Sequence, residues 1–272
     1  MNRDRVIAIA RADLRQLRAS KDFWVPLAII ALFMFVIVPA VMLYVISTVQ
    51  DPQLLNKLVD VVGRLPVELR VRLHDSPPEV QASYTLAVYF FAPLVTLVPL
   101  TISSSISANT FVGERERGSG EFLAHSPAST GDIYLGKLIA ALIPGYITAL
   151  VGLFVYSGVV NLIVASRTDG VIFPAGNWWV FVLWVMPPLI AMAIALIVSI
   201  SARVTSGAAA QQASSLIALP IVILAYAVSE ASLFGSALPA WIVGAIAWIG
   251  AGIAIWRGIA SLQRERLLGI GI

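Results

Sequence analysis

Long apolar runs alternate with short polar segments along most of the chain. Six of the runs match or exceed the roughly 20 residues that a helix needs to cross the hydrocarbon core of a membrane. Their approximate bounds are 23–48, 84–112, 133–164, 178–202, 208–228 and 237–256. The pattern predicts an all-α polytopic membrane protein, with a single transmembrane domain of six helices within residues 1–272.

The segments outside these runs carry patterns of their own. In residues 1–22, apolar side chains follow one side of a helix and arginines fill the rest, with Asp13 as the exception on the apolar side. This pattern predicts an amphipathic helix lying in the cytoplasmic membrane interface. Residues 50–83 form a predicted outer amphipathic segment, for which an outer gate and a helix resting on lipid are both compatible roles. Residues 257–272 form a predicted cytoplasmic tail.

Composition supports this class and excludes several others. The chain is 59% hydrophobic and 12% charged, with a mean hydropathy of +0.89, which is too apolar for a soluble domain of 272 residues. The absence of cysteine excludes disulfides, thiolate metal sites and cysteine nucleophiles, and two histidines are too few for a histidine metal centre. The pI of about 9.4 does not indicate nucleic-acid binding, because the charges flank the apolar runs and form no basic stripe.

The placement of basic residues predicts an orientation. If both termini are cytoplasmic, 13 of the 18 lysines and arginines fall in inner segments. This bias agrees with the positive-inside rule and places the connector 113–127 in the cytoplasm. We therefore expect a multi-pass protein of the cell's inner (cytoplasmic) membrane with both termini inside. The Trp178-Trp179 pair predicts an aromatic belt at the outer interface.

The connector is one of the few places in the chain where charges crowd together. Glu114, Arg115, Glu116 and Arg117 are four consecutive ions, which must lie in water or against another protein. If the stretch is helical, Glu114, Arg117 (or Gly118) and Glu121 share one face at ion-pair spacing. An ordinary solvated loop would carry the same charges, so spacing alone leaves both interpretations open.

The order of residues in this stretch resembles the signature of ABC-2-type transporter permeases. The matching residues are Glu114, Arg115, Glu116, Arg117, Leu123, Ser126 and Pro127, followed by Gly136-Lys137. Gly120 and Phe122 depart from the usual pattern, and the departures bear on the rigidity of the helix. The C-terminal Arg264-Glu265-Arg266-Leu267-Leu268 run is similar to these permeases as well.

The resemblance implies the membrane subunit of an ABC exporter with a type V exporter-like fold. It implies a second permease copy, in a homodimer or with a homologous permease, and two separate ABC ATPase subunits that carry ATP and Mg. It makes the connector a cytoplasmic coupling helix that docks the ATPase. The implied docking residues are Glu114, Arg115, Glu116, Arg117, Gly118, Glu121, Phe122, Leu123, Ser126 and Pro127.

A polar run in the second apolar stretch has two possible roles. Hydroxyl and amide side chains in a membrane helix either join helices and bond back to their own backbone, or line a translocation path. The candidate path residues are Thr101, Ser104, Ser105 and Asn109. Such a path would suit an amphiphilic or hydrophobic solute (a drug, peptide or lipid) better than a bare ion.

One motif at the start of the third run matches part of a phosphate-binding loop but does not indicate one. Gly131 to Lys137 satisfies G-x-x-x-x-G-K, but Leu138 follows where a phosphate-binding loop needs Ser or Thr, and no buried strand precedes it. We expect Lys137 to snorkel at the cytoplasmic boundary. Ser129 and Asp132 have the spacing of a capping box and predict a helix start.

No catalytic constellation is found, so we expect no catalytic site and no cofactor or metal in this chain. The alternatives to an exporter subunit are an ion-gradient-driven secondary transporter and a non-transporting membrane scaffold. A secondary transporter should show acids inside its spans, and the predicted spans contain almost no ionisable residue.

Overall fold

The computed structural model describes residues 2–48, 67–74, 76–87, 96–116, 118, 120–164, 173–174, 176–204, 206–233 and 238–262, and no strand occurs within these ranges. The helices, in chain order, are α1 Arg3–Ala19, α2 Lys21–Leu32, α3 Val38–Thr48, α4 Val67–His74, α5 Pro78–Thr85, α6 Leu97–Glu116, α7 Gly120–Ala124, α8 Thr130–Val164, α9 Gly176–Val180, α10 Met186–Ser201, α11 Gly207–Leu233 and α12 Leu238–Ser261. One π-helical turn, Phe33–Ile37, joins α2 to α3, and another, Phe181–Val185, joins α9 to α10.

Five described helices are long and apolar enough to cross a membrane: Phe23–Ile46, Thr130–Val164, Trp178–Ser201, Gly207–Leu224 and Leu238–Ser261. They coincide with the first and the third to sixth runs of the sequence. The second predicted span, 84–112, is not among them, because residues 88–95 lie outside the described residues and α6 is rich in hydroxyl side chains. A sixth span therefore stays a prediction, as does most of the outer segment 50–83.

Helices α6, α8 and α10 form the centre of the structure. In the apolar part of the span that contains α10, 67% of the residues are buried, whereas the spans of α2–α3, α11 and α12 are only 17–22% buried. Large apolar side chains point outward from these peripheral helices, among them Leu216 and Ile246. This distribution fits helices whose outer faces meet lipid rather than water.

Buried hydroxyl groups join the three central helices pairwise. Ser103 Oγ on α6 donates to the Ala141 carbonyl on α8 at 3.2 Å, and Ser201 Oγ on α10 donates to the Ala108 carbonyl on α6 at 2.7 Å. Tyr134 OH on α8 donates to the Ala195 carbonyl on α10 at 2.7 Å. Interhelical bonds of this kind contribute about 0.6 kcal/mol each in membrane proteins, so they set register more than they supply stability.

The start of α8 confirms the predicted capping box. Asp132 N donates to Ser129 Oγ at 3.1 Å, and Ser129 N donates to Asp132 Oδ2 at 3.0 Å. Each side chain thus satisfies a backbone N–H that the first helical turn leaves open.

One aromatic prediction is wrong in part. Trp178 is buried between Phe173 and Phe181, with ring centroids 5.2 and 5.7 Å apart in edge-on geometry, so it belongs to the core. Trp179 is exposed and packs beside Phe154. Helical periodicity explains the split, since neighbouring residues on a helix point about 100° apart.

A glycine allows helix α1 to pack closely on α8. A Cβ added at Gly136 would lie 2.8 Å from Ile9 Cβ and 3.1 Å from the Val6 carbonyl oxygen. Val6 and Ala10 are buried at this contact, while the neighbouring arginines Arg11 and Arg15 are exposed. The amphipathic face of α1 therefore covers protein, and its position relative to the membrane stays a prediction.

This contact predicts the effect of a single enlarged side chain. Gly136→Val should push α1 away from α8 at a cost of about 1–3 kcal/mol, because overpacking forces backbone shifts. Limited trypsin digestion of the purified protein should then cut at Arg11 and Arg15 several times faster than in the wild type. The matched control is Gly158→Val on the same helix, where an added Cβ meets nothing within 4 Å. Equal cleavage of the two variants would contradict the close packing.

Candidate functional site

The connector is not one continuous helix. Helix α6 extends through Glu116, Gly118 adopts a left-handed φ of 73°, and the short α7 follows over Gly120–Ala124. A left-handed φ is typical of glycine just after a helix end. The expectation of a single face shared by Glu114, Arg117 and Glu121 is therefore wrong, since the break at Gly118 separates Glu114 from Glu121. Arg117 itself lies outside the described residues.

The implied docking residues fall into exposed and partly buried groups. Glu116, Gly118, Glu121 and Pro127 are exposed, whereas Leu123 and Ser126 are partly buried. The side chains of Arg115 and Phe122 lie outside the part of the chain that can be described. The docking role of all these residues stays a prediction.

Glu114 takes part in an internal ion-pair cluster. Lys137 Nζ donates to Glu114 Oε1 at 2.6 Å and to Asp13 Oδ2 at 3.2 Å. The side chain of Lys137 is 2% exposed, that of Glu114 12% and that of Asp13 23%. We name Asp13, Glu114 and Lys137 the ion-pair triad. The expected snorkelling of Lys137 is wrong, because its ammonium is enclosed by two carboxylates from neighbouring helices.

Each member of the triad comes from a different helix. Asp13 lies on the inward side of α1, Glu114 on the last turn of α6, and Lys137 on the second turn of α8. The ring of Phe111, one turn before Glu114, lies 5.6 Å from Lys137 Nζ and adds a cation–π contact. An ammonium at this depth loses its hydration, so its partners must remain in place.

The connector is also bound to helices at both of its ends. At its start, Glu116 Oε1 accepts a hydrogen bond from Gly207 N, the first residue of α11, at 2.9 Å. At its end, Arg5 Nη1 on α1 donates to the Pro127 carbonyl at 2.5 Å. The backbone N–H of Asn2 donates to Asp132 Oδ1 at 2.9 Å, which ties the start of α1 to the start of α8.

A cavity of about 270 Å³ lies beside the triad, between α1, the start of α2, and helices α6 and α8. We name it the α1–α6 cavity. The triad lines it together with Phe23, Ser105 and Asn109 among others. Two of the four predicted path residues, Ser105 and Asn109, therefore meet in one space.

The other two path residues lie elsewhere. Thr101 is partly buried, and its hydroxyl bonds back to the Leu97 carbonyl at 2.8 Å. Ser104 is buried, and its hydroxyl has no hydrogen-bond partner among the described residues. The G-x-x-x-x-G-K sequence lies inside α8, where a helical backbone cannot form the loop that cradles a phosphate.

Sequence reasoning missed two members of the triad. Asp13 was visible as an acid on the apolar side of an amphipathic helix, and Lys137 as a cation inside an apolar run. No local pattern could reveal the contact between them, since Asp13 and Lys137 are 124 residues apart. The cavity residues Gln16, Ser20 and Phe23 carried no distinguishing signal.

Comparison with known proteins identifies the family. The family model described as ABC-2 family transporter protein matches residues 7–240, which is most of the 272-residue chain. No curated protein matches the chain significantly. With its membrane-length helices and its charged connector, this chain belongs to the ABC-2 family of transporter proteins, as a multi-pass membrane permease.

Proposed function

We propose that this permease is the membrane subunit of an ATP-driven exporter of an amphiphilic or hydrophobic solute. Two permease copies would pair with two ABC ATPase subunits, and those subunits would bind ATP and Mg and hydrolyse the nucleotide. The permease would contribute no catalytic group. It would lie in the inner membrane with both termini in the cytoplasm, and the connector 113–127 would be the docking surface for the ATPase.

The observation that supports this proposal is the way in which the connector is attached. Its exposed residues Gly118 and Glu121 lie between attachments at Glu114, Glu116 and Pro127. An ordinary solvated loop needs none of these bonds. A segment that must receive a push from a partner needs firm attachment to the helices that it moves.

The attachments define which helices would respond. A displacement of α7 would reach α11 through the hydrogen bond that Gly207 N donates to Glu116, and α1 through the one that Arg5 donates to Pro127. It reaches α8 through the triad. Packed helices move as rigid bodies, so a small movement of the connector would reorient several spans together.

The triad supplies a prediction about the stability of the permease. Lys137→Met should destabilise the purified permease by about 3–5 kcal/mol, because two carboxylates then remain close together and poorly hydrated without their cation. The midpoint of thermal unfolding, followed by tryptophan fluorescence, measures this loss. Lys137→Arg, which keeps the charge, should lose much less.

A neutral variant of the triad separates charge from packing. Asp13→Asn/Glu114→Gln/Lys137→Met should recover much of the lost stability, since it leaves no unpaired ion. We expect this variant to stay folded but to show weaker stimulation of the ATPase by substrate. A triple variant as unstable as Lys137→Met would show that the charges are not the source of the effect.

The exposed acid of α7 supplies a docking prediction. Glu121→Lys should weaken association with the ABC ATPase subunit by roughly tenfold, because reversing a charge at an interface opposes encounter and retention. Co-purification and the ATP hydrolysis rate of the complex measure the effect. Thermal unfolding of the permease alone should not change, since the Glu121 side chain is exposed.

The control is Glu79→Lys on α5, an acid outside the connector. If Glu121→Lys and Glu79→Lys both co-purify with the ATPase as the wild type does, then α7 is not the docking helix. If the wild-type permease itself retains no ATPase and stimulates no hydrolysis, the exporter proposal fails.

A further inference from the structure

The α1–α6 cavity has a polar end and an apolar end. Glu114, near the end of α6, is eight residues beyond Ile106, so these two lining residues are about 12 Å apart along the helix. On α8, Ala140 lies one turn beyond Lys137. Phe23, also in the lining, is the first residue of the span Phe23–Ile46. The cavity therefore runs from the charged triad toward the level at which the membrane spans begin.

Among the side chains that the structure describes, those at the polar end sum to a negative formal charge. The triad contains two carboxylates and one ammonium, and the ammonium already contacts both carboxylates. No arginine lines the cavity among the described residues, and the arginines Arg11, Arg15 and Arg18 of α1 are exposed to the outside. A positive charge in the cavity would be attracted and a negative charge repelled.

Further groups at the cavity would suit an organic cation. The Ser105 hydroxyl and the Gln16 amide make no hydrogen bond to any described residue, so both can turn toward a ligand. Phe23 adds an aromatic ring to the lining, and aromatic rings attract ammonium groups. The volume of about 270 Å³ lies just below the range of roughly 300–1,000 Å³ that is typical for whole drug-sized ligands. It fits a head group and the first part of a chain.

We propose that the α1–α6 cavity binds the head group of a cationic amphiphile, an organic ammonium with a single hydrocarbon chain. The ammonium lies beside Asp13 and Glu114, and the chain follows Phe23, Ile106 and Ala140 toward the membrane. The inference rests on the proposed function only in making this amphiphile the exported solute. The permease alone, without its ATPase, binds the amphiphile.

The test compares three head groups on the same ten-carbon chain. Full-length permease in phosphatidylcholine nanodiscs is titrated with decyltrimethylammonium, decyl sulfate or decyl maltoside, and the heat of partition into empty nanodiscs is subtracted. We expect saturable binding of the ammonium, at least about tenfold tighter than that of the sulfate or the maltoside. Decyl sulfate binding as tightly as the ammonium would overturn the proposal, and so would the absence of saturable binding.

Variants locate the binding within the cavity. Asp13→Asn should weaken ammonium binding about tenfold, because it removes one carboxylate from the polar end. Asp4→Asn on the same helix, where the acid is exposed and outside the cavity, should bind as the wild type does. Ser105→Phe should fill the apolar end and abolish binding of all three amphiphiles. An Asp13→Asn effect no larger than that of Asp4→Asn would overturn the proposal.

The two proposals fail separately. A single elution peak in size-exclusion chromatography and wild-type helicity show which variants are folded. If Asp13→Asn is not folded, the question is decided by the comparison of the three head groups on the wild type and by the Ser105→Phe variant. No ATPase is present in these titrations, so a negative result removes the amphiphile site and leaves the exporter proposal intact. If the permease binds decyltrimethylammonium but never binds an ATPase, the exporter proposal fails and the amphiphile site stands.

Discussion

The ammonium of Lys137 is enclosed where water cannot solvate it, and its two carboxylate partners come from different helices. A charge in this position costs several kcal/mol unless it is paired. The pairing therefore requires α1, the end of α6 and the start of α8 to meet at one point. Gly136 allows that close meeting, because a Cβ at this position of α8 would lie only 2.8 Å from the side chain of Ile9 on α1.

The rest of the structure depends on weaker interactions. The hydroxyl-to-carbonyl bonds among α6, α8 and α10 fix how these helices are rotated, but each contributes little free energy. The peripheral helices are held mainly by packing on one side, and they leave their outer faces to lipid. The result is a firm centre, a firm end where the ion-pair triad lies, and outer helices with fewer constraints. That division suits a protein whose spans must move relative to one another while the connector keeps its attachments.

Local patterns predicted much of the fold. Apolar runs longer than a membrane thickness indicated the positions of five helices, and the spacing of Ser129 and Asp132 gave the first turn of α8. Patterns failed where the decisive partner was distant in sequence. The sequence around Lys137 predicts snorkelling, but Asp13 and Glu114 enclose its ammonium in the structure. The sequence around Trp178 likewise predicts an interface residue, but Phe173 covers its ring. The prediction of one shared helical face in the connector failed for a local reason, since the left-handed Gly118 ends the helix there.

The distance in sequence between α1 and its contacts has a consequence for the synthesis of the protein. Helix α1 is translated well before α8, since Asp132 and Lys137, to which it binds, come 130 and 124 residues after Asn2 and Asp13. During that interval α1 has an apolar face with nothing to cover it, and its exposed arginines favour an anionic lipid surface. The nascent helix would therefore wait on the membrane and leave it only when α8 has been inserted. Docking of α1 would then be a late step of assembly, which closes this end of the structure after the spans around it are in place.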